Sequence, residues 1–344
     1  MKNQCQEEAK DRLTAVLCLS FGHYPTPIEE LPRFRDALIR EIGSQKVPHL
    51  FIKRDDYTGP GFGGNKVRKL EYVLARALAD GADAAITCGG LKSNHARVTA
   101  AMCARLGLRC ILVLNEPAEL PALIPASLKV DEMLGAEIHR VKHRDERKPT
   151  MEAIAARLRG DGKTPVIIPL GASIPLGALG FVRAVEEAAA QLAEMNLRLN
   201  YVFHSTSSGG TQAGLIAGHQ LFNLSDKIIG ISADDSSASI SSEVASIIRG
   251  IGEMLDVELD ENATVFDEYI GAGYGLDTPE SLAAIELLAR TEGLFLDPVY
   301  TAKAMAGLID RIRQGLFDEN DNVLFWHTGG QLALFYSTDQ YHSQ

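Results

Sequence analysis

Short apolar runs alternate with amphipathic stretches along most of the chain. In one cycle, the run His49–Lys53 predicts a buried strand, and the apolar positions from Leu70 to Leu78 then recur at helical spacing until Gly81. The predicted strands that follow are Ala84–Cys88, Cys110–Leu114, Val166–Pro169, Tyr201–His204, Ile228–Ser232 and Val323–Trp326, and the predicted helices are Asn94–Leu106, Ser127–Leu134, Ala178–Met195, Thr211–Phe222 and Ile240–Leu255. Strands separated by helices predict βαβ crossovers, and therefore an α/β fold with parallel sheets covered by helices on both faces.

The length of 344 residues favours two domains, or one large one. Hydrophobic residues make up 46% of the chain and charged residues 23%, which is typical of a folded globular protein. The formal net charge of −11 disfavours nucleic acid or an anionic membrane as the main partner, because both attract clustered Lys and Arg.

The five cysteines include no C-x-x-C pair, which argues against a disulfide framework or a zinc site, and no metal site is predicted. The chain shows no secretory signal and no apolar run of the roughly 18 residues that a membrane span needs. We therefore expect a cytoplasmic location.

A glycine-rich loop, Gly59 to Gly64, leads into the predicted helix that carries Lys66 and Lys69 in its first turn. Unpaired N–H groups and partial positive charge at a helix start disfavour an ammonium and welcome an anion. Both effects suit a lysine that attacks an aldehyde beside a bound phosphate. The loop alone is equally consistent with a surface lysine, and it is not a Walker A loop because Asn65 stands where that motif needs Lys.

A second loop, Ser205 to Thr211, joins a predicted strand to a helix start and consists of Ser, Thr and Gly. Such residues let backbone amides close around an oxyanion, although a polar turn with an N-cap has the same composition. A lysine at one helix start and a phosphate cup at another are together typical of a site for a phosphorylated aldehyde.

The chain resembles the pyridoxal-phosphate enzymes of fold type II, and within them the D-cysteine desulfhydrase and 1-aminocyclopropane-1-carboxylate (ACC) deaminase group. The resemblance runs from about Pro25 to Gly330. Its motifs are Tyr24-Pro25-Thr26-Pro27 with Leu31-Pro32, Lys53-Arg54-Asp55-Asp56, the run from Gly63 to Glu71, Ser93-Asn94-His95, the run from Gly209 to Gly214, Asp297-Pro298-Val299-Tyr300-Thr301, and His327-Thr328-Gly329-Gly330.

This resemblance implies two three-layer αβα domains with mainly parallel, twisted sheets, similar to the tryptophan synthase β chain. Residues 1–68 and 176–344 would form the large cofactor-binding domain, and residues 69–175 a small domain inserted in the sequence. The cofactor would be pyridoxal 5′-phosphate, the partner a small amino acid, and the assembly a homodimer.

The resemblance also implies roles for individual residues. Lys66 would hold the cofactor as a Schiff base, Asn94 would bind its ring hydroxyl, and Ser93 would face Lys66 across the cofactor plane near the substrate. Tyr274 and Tyr300 match the family's active-site tyrosines. The remaining cofactor contacts would be Lys69, Ser207, Ser208, Gly209, Gly210, Thr211, Thr301 and Thr328. Ser93, Asn94 and His95 would contact the substrate, although Ser93 and Asn94 also suit a helix cap and His95 a structural hydrogen bond.

The reaction implied is removal of the substrate Cα proton and loss of a β substituent, with D-cysteine giving pyruvate, hydrogen sulfide and ammonia. Ring-opening deaminases carry Glu where this chain has Thr301, Leu where it has Thr328 and Gln where it has His95. A neutral hydroxyl beside the ring nitrogen gives a weaker electron sink, which suits a good leaving group such as thiolate.

Three departures from the family pattern leave the substrate open. Lys92 stands where Gln is usual, which would suit an anionic leaving group as in L-cysteate sulfo-lyases. Asp234 and Asp235 would suit a cationic substrate such as diaminopropionate, and Trp326 replaces a smaller apolar residue. The other readings are ACC deamination, D-serine ammonia-lyase activity, a non-catalytic amino-acid sensor and a nucleotide-binding protein, the last disfavoured by the absence of a G-x-G-x-x-G motif.

Overall fold

The structure, a computed structural model, describes residues 2–42, 47–116 and 124–337. The helices in this part of the chain are α1 Lys2–Ala15, α2 Pro32–Ile42, α3 Asn65–Ala79, α4 Asn94–Leu106, α5 Ala126–Met133, α6 Arg147–Gly160, α7 Pro175–Glu194, α8 Gly210–Phe222, α9 Ser237–Leu255, α10 Pro279–Glu292 and α11 Thr301–Arg313. None of them is long and apolar enough to cross a membrane.

The strands in the same ranges are β1 Ile28–Glu30, β2 His49–Arg54, β3 Ala84–Gly90, β4 Arg109–Asn115, β5 Ile124–Pro125, β6 Glu137–Val141, β7 Pro165–Ile167, β8 Leu199–Thr206, β9 Ser225–Ser232, β10 Thr264–Phe266, β11 Asn322–His327 and β12 Tyr336–Ser337. They form a six-stranded sheet in the order β1-β2-β11-β8-β9-β10, a four-stranded sheet in the order β6-β4-β3-β7, and the short pair β12-β5. Both large sheets are parallel except for β1, which runs antiparallel to β2 at an edge.

Each sheet is covered by helices on both faces, as the alternation along the chain predicts. On β11, Leu324 and Trp326 join a core with α7, α8 and α9, whereas Val323 and Phe325 join a core with α2, α10 and α11. The four-stranded sheet has α3 and α4 on one face and α6 on the other. The predicted α/β class with parallel sheets is therefore confirmed, while the domain boundaries after residues 68 and 175 stay a prediction.

A buried ion network lies under the start of α3. Arg68 donates two hydrogen bonds to Asp55, at 2.8 and 2.9 Å, and two to Glu187, at 2.9 and 3.1 Å. Lys53 Nζ lies 2.5 Å from Glu187, and the indole N–H of Trp326 donates to Asp55 at 2.8 Å. Burial opposes ionisation of Asp55, but Arg68 and Lys53 outweigh it and hold the pKa of this carboxyl below its ordinary value. Trp326, a departure from the family pattern, is thus an internal partner of this network.

Candidate active site

A cleft of about 1000 Å³, open to solvent, lies between the two parallel sheets. About half of the residues in its wall lie at or just after the carboxyl ends of parallel strands: Gly89 and Gly90 on β3, Asn115 on β4, Ser205 to Gly209 at the end of β8, Asp234 and Asp235 after β9, and Thr328 after β11. Ligands of open α/β sheets bind at this edge, because backbone groups and loop side chains converge there. The cleft is accordingly the candidate active site.

Lys66 lies in the first turn of α3 and lines this cleft. The helix start is fixed by Gly64, which has φ +108°, and by the Asn65 N–H, which donates to the Thr328 carbonyl at 3.0 Å. A Cβ at Gly64 would lie 2.8 Å from the same carbonyl, so only glycine allows this approach. Burial lowers the pKa of Lys66 to about 8, which makes its amine nucleophilic near neutral pH.

Lys69 lies one turn further along α3 and behind the cleft wall. Its Nζ donates to the carbonyl of Gly171 at 3.2 Å and to Ser173 Oγ at 3.0 Å. Burial, followed by the neighbouring Lys66, lowers the pKa of Lys69 well below its ordinary value. An anion bound nearby would therefore be strongly favoured.

That anion site is formed by the loop from Ser207 to Thr211 at the start of α8. Gly209 is in the left-handed region with φ +74°, and no side chain caps the helix. The Gly210 N–H donates to the Ser208 carbonyl at 2.9 Å, so the N–H groups that follow it are the ones available to a ligand. Ser207, Ser208, Gly209 and Thr211 line the cleft, whereas Gly210 lies just behind its wall: a Cβ there would lie 2.7 Å from Lys69 Nζ.

The run Ser93-Asn94-His95 begins α4 and lines the opposite wall. Ser93 caps the helix, accepting from the Ala96 N–H at 3.2 Å, and a Cβ at Gly89 would lie 2.4 Å from Ser93 Oγ. The Asn94 amide oxygen accepts from Arg97 at 2.7 Å. Because arginine only donates, this bond fixes the amide so that its NH₂ group remains a donor.

Tyr274 and Tyr300 lie on one wall, with their hydroxyls 2.5 Å apart. Burial raises the pKa of both tyrosines, so both are protonated at neutral pH. Arg144, which follows β6 of the four-stranded sheet, lies over the Tyr274 ring at 4.8 Å, and 3.9 Å from an oxygen of Asp234. This contact joins the two sides of the cleft mouth.

Thr301 and Thr328, which the resemblance predicts to differ from the ring-opening deaminases, lie in different places. Thr328 lines the cleft. Thr301 lies outside its wall, where its buried hydroxyl donates to Asp297 at 2.7 Å and helps that residue hold the start of α11. Lys92 also lies outside the wall, whereas Asp234 and Asp235 line it.

Sequence reasoning missed four side chains of the wall: Arg144 and Arg147, which precede and begin α6, together with Asn115 and Leu170. The two arginines lie in a polar, weakly periodic stretch, and the strand before them, β6, was not predicted. Only the tendency of residues after parallel strands to converge could have indicated them.

The donor set fits pyridoxal 5′-phosphate. A buried amine with a lowered pKa, an uncapped helix start flanked by hydroxyls, and an oriented amide NH₂ match its aldehyde, phosphate and ring hydroxyl in turn. The hydroxyl of Thr206, which lines the cleft, is buried without a hydrogen-bond partner in the described part of the chain. An unsatisfied buried hydroxyl beside the anion loop is consistent with a polar ligand there.

Known proteins match along most of the chain. The family described as pyridoxal-phosphate dependent enzyme matches residues 19–329. A solved structure of an ACC deaminase homologue is 37% identical over 95% of this chain and 96% of its own, with a TM-score of 0.85. A threonine deaminase from T.th. is 18% identical, covering 99% of both chains, with a TM-score of 0.64. A pyridoxal 5′-phosphate-dependent aspartate racemase is 16% identical over 95% and 94%, also with a TM-score of 0.64. The last two show the fold alone.

Proposed function

The chain belongs to the pyridoxal-phosphate-dependent enzymes, in the group of ACC deaminases and D-cysteine desulfhydrases, and from this premise we propose that it eliminates the β substituent of a small amino acid. The substrate that we propose is D-cysteine, with pyruvate, hydrogen sulfide and ammonia as products. The cofactor is pyridoxal phosphate, and the fold is that of the type II enzymes.

The observation that carries this choice is the neutral hydroxyl of Thr328 in the cleft wall, with Thr301 engaged by Asp297. A carboxylate at either position would favour a protonated ring nitrogen and a strong electron sink. Neutral groups favour the weaker sink, which is enough to expel thiolate. This supports elimination of sulfide over ring opening.

The bound cofactor supplies an electron-withdrawing ring that makes the substrate Cα proton acidic and allows a β substituent to depart. Lys66 Nζ and Ser93 Oγ are the two groups to which we assign movement of that proton. Lys66 is suited to it because burial leaves its amine partly neutral near pH 7. Ser93 Oγ accepts from Ala96, so its own proton remains free for the cleft.

Tyr274 and Tyr300 act on the leaving group in this proposal. Their hydroxyls share one short hydrogen bond, so one of the two protons is left for another acceptor. Burial raises the pKa of both groups, and the pair therefore offers a stable donor to a departing sulfur atom. The remaining contacts, from Lys69 and the Ser207–Thr211 loop, hold the phosphate.

A second candidate is elimination of sulfite from L-cysteate, which Arg144 and Arg147 in the cleft wall favour. Two guanidinium groups offer bidentate donors to a sulfonate. Asp234 opposes this reading. Burial raises the pKa of its carboxyl, and a cationic substrate group, such as the second amine of diaminopropionate, would stabilise the ionised form.

The test is a keto-acid release assay on paired D and L forms of cysteine, cysteate, serine and diaminopropionate, together with ACC. We expect pyruvate and sulfide in equal amounts from D-cysteine, at the highest kcat/KM of the panel. Sulfite from cysteate, or 2-oxobutanoate from ACC, at a higher kcat/KM would replace this proposal. A yellow protein without turnover on the whole panel would indicate an amino-acid sensor.

A further inference from the structure

The proton of His95 has a position that the hydrogen bonds determine. Thr87 Oγ1 lies 2.7 Å from His95 Nε2 and 2.7 Å from the carbonyl oxygen of Ile168. A carbonyl oxygen only accepts, so the single Thr87 proton points to Ile168. The Thr87 oxygen must then accept from His95, and Nε2 carries the imidazole proton.

The other ring nitrogen, His95 Nδ1, is consequently a lone-pair acceptor. It is buried and has no partner in the part of the chain that the structure describes. The side chain is 3% exposed and lines the cleft. Burial, together with the nearby Lys66 and Lys69, lowers the pKa of His95 well below its ordinary value, so the ring is neutral. A buried acceptor without a donor is destabilising, and a donor from a ligand or a neighbouring amine would remove that cost.

Lys66 and Thr87, the partner of His95, both lie beside the segment from Ile168 to Gly171. Thr87 bonds to Ile168, and a Cβ on Gly171 would lie only 3.3 Å from Lys66 Nζ. The helices that carry His95 and Lys66, α4 and α3, pack in one core against this segment. Lys66 is also the first of the two charged groups that lower the pKa of His95, which makes an amine near the Lys66 position the candidate donor for Nδ1.

We propose that Thr87 is a positioning residue that holds His95 with its proton on Nε2, so that Nδ1 accepts a hydrogen bond from an amine N–H at the Lys66 position. Nδ1 has no partner among the described residues, so the bond belongs to the loaded enzyme, where the amine is that of Lys66 or that of the amino-acid substrate which takes its place. Neither the role of Thr87 nor the position of the His95 proton follows from the sequence motifs. The inference rests on the proposed function only as far as the substrate is an amino acid, and it does not depend on that amino acid being D-cysteine.

The direct test is ¹⁵N NMR of the imidazoles in the holoenzyme without substrate, with the His95 signal identified by its loss in His95→Gln. In wild type we expect a neutral ring with the proton on Nε2 that stays neutral between pH 6 and 8. Thr87→Val removes the acceptor of that proton, and the signal should move to a mixture of tautomers. Thr87→Ser keeps the hydroxyl and should restore the wild-type signal. Thr99→Val is the matched control, because Thr99 is buried on α4 and bonds to the His95 backbone at 2.8 Å, not to its ring.

Two further readouts identify the amine. If it belongs to Lys66, Thr87→Val changes the visible absorbance band of the substrate-free holoenzyme. If it belongs to the substrate, the band is unchanged and KM for the substrate turned over best rises about tenfold, the equivalent of one hydrogen bond. A His95 proton on Nδ1 in wild type overturns the proposal. It is also overturned if Thr87→Val changes the His95 tautomer but alters neither the absorbance band nor KM by more than Thr99→Val does. The NMR result needs no turnover, so it tests the His95 proposal independently of the proposed elimination.

Discussion

At the scale of single residues, the site depends on two buried lysines that share one face at the start of α3. Lys66 and Lys69 are three positions apart; Lys69 is fully buried and Lys66 partly buried. Burial lowers the pKa of both amines, and the charge of Lys66 lowers that of Lys69 further. The same pair thus suits the two roles that we propose for it, a reactive amine and a phosphate contact.

Lys66→Ala should abolish cofactor attachment and turnover. We expect keto-acid release to fall by roughly 10³-fold or more, and borohydride to trap no covalent adduct, because the attacking amine is gone. Lys163→Ala, at an exposed position, is the control. A Lys66→Ala enzyme that keeps both the adduct and the activity would refute the assignment.

The pH dependence of cofactor binding follows from the lowered pKa of Lys66. Only the neutral amine attacks an aldehyde, so the rate at which apoprotein acquires its visible band should rise with pH, with a midpoint near pH 8. An unperturbed lysine would give a midpoint near 10.4. Stopped-flow absorbance across pH 6.5–10.5 checks this, and a midpoint near 10 would mean that Lys66 is solvated.

The threonine pair should set the reaction. The double substitution Thr301→Glu with Thr328→Leu introduces a carboxylate and removes a cleft hydroxyl, so we expect slower desulfhydration of D-cysteine and a gain in ring opening of ACC. Thr291→Leu, on α10, controls for a general effect of losing a threonine. Unchanged rates for both substrates would show that these residues do not tune the electron sink.

At the scale of elements, α3 is held by its close approach to α7. A Cβ at Gly180 would lie 2.1 Å from the carbonyl oxygen of Arg68, so glycine is required for the two backbones to touch. Arg68, the residue of α3 in this contact, lies two positions after Lys66 in the sequence. Helix packing therefore sets the position of the amine in the cleft.

Gly180→Ala should push α3 away from α7. We expect the free energy of unfolding to fall by about 1–3 kcal/mol and cofactor to dissociate faster. Gly160→Ala, in α6, meets no atom within 4 Å, and there alanine should stabilise by up to ~1 kcal/mol. Denaturant titrations of both variants would check this pair. If the free energy of unfolding changed in the same direction in both, the packing argument would be contradicted.

The sequence predicted some elements better than others for identifiable reasons. Helix α4 was predicted with its observed bounds, Asn94–Leu106, because Ser93 caps one end and Gly107, with φ +68°, stops the other. Helix α1 was missed because Lys2–Ala15 is polar with almost no apolar periodicity. The Thr87–His95 bond was also missed, because strand register and helix position, neither of which is local, bring the two side chains together.

At the scale of the whole molecule, the cleft lies between two parallel sheets, and Arg144 makes a contact across it. Arg144 comes from the side of the four-stranded sheet and contacts Tyr274 and Asp234 on the other side. The loop around Tyr274 has glycines at 271, 273 and 275 with positive φ, a conformation that glycine adopts readily. Arg144 therefore contacts a tyrosine that the opposite side supplies.

Arg144→Ala should weaken substrate binding more than it slows the chemical step. The pair is partly exposed, so its loss is worth at most about 1 kcal/mol, and KM should rise by no more than roughly fivefold. Arg159→Ala, exposed on α6, is the control for loss of charge. A fall in kcat with unchanged KM would instead place Arg144 in the chemistry.

The ion network under α3 has a consequence for how this chain can evolve. Loss of one member of a buried ion pair costs about 3–5 kcal/mol, whereas replacement of a whole cluster by apolar residues is often neutral. Substitutions at Lys53, Asp55, Arg68, Glu187 and Trp326 are therefore deleterious one at a time and tolerated only together. A library that randomises these five positions jointly should recover apolar solutions that no path of single mutations reaches.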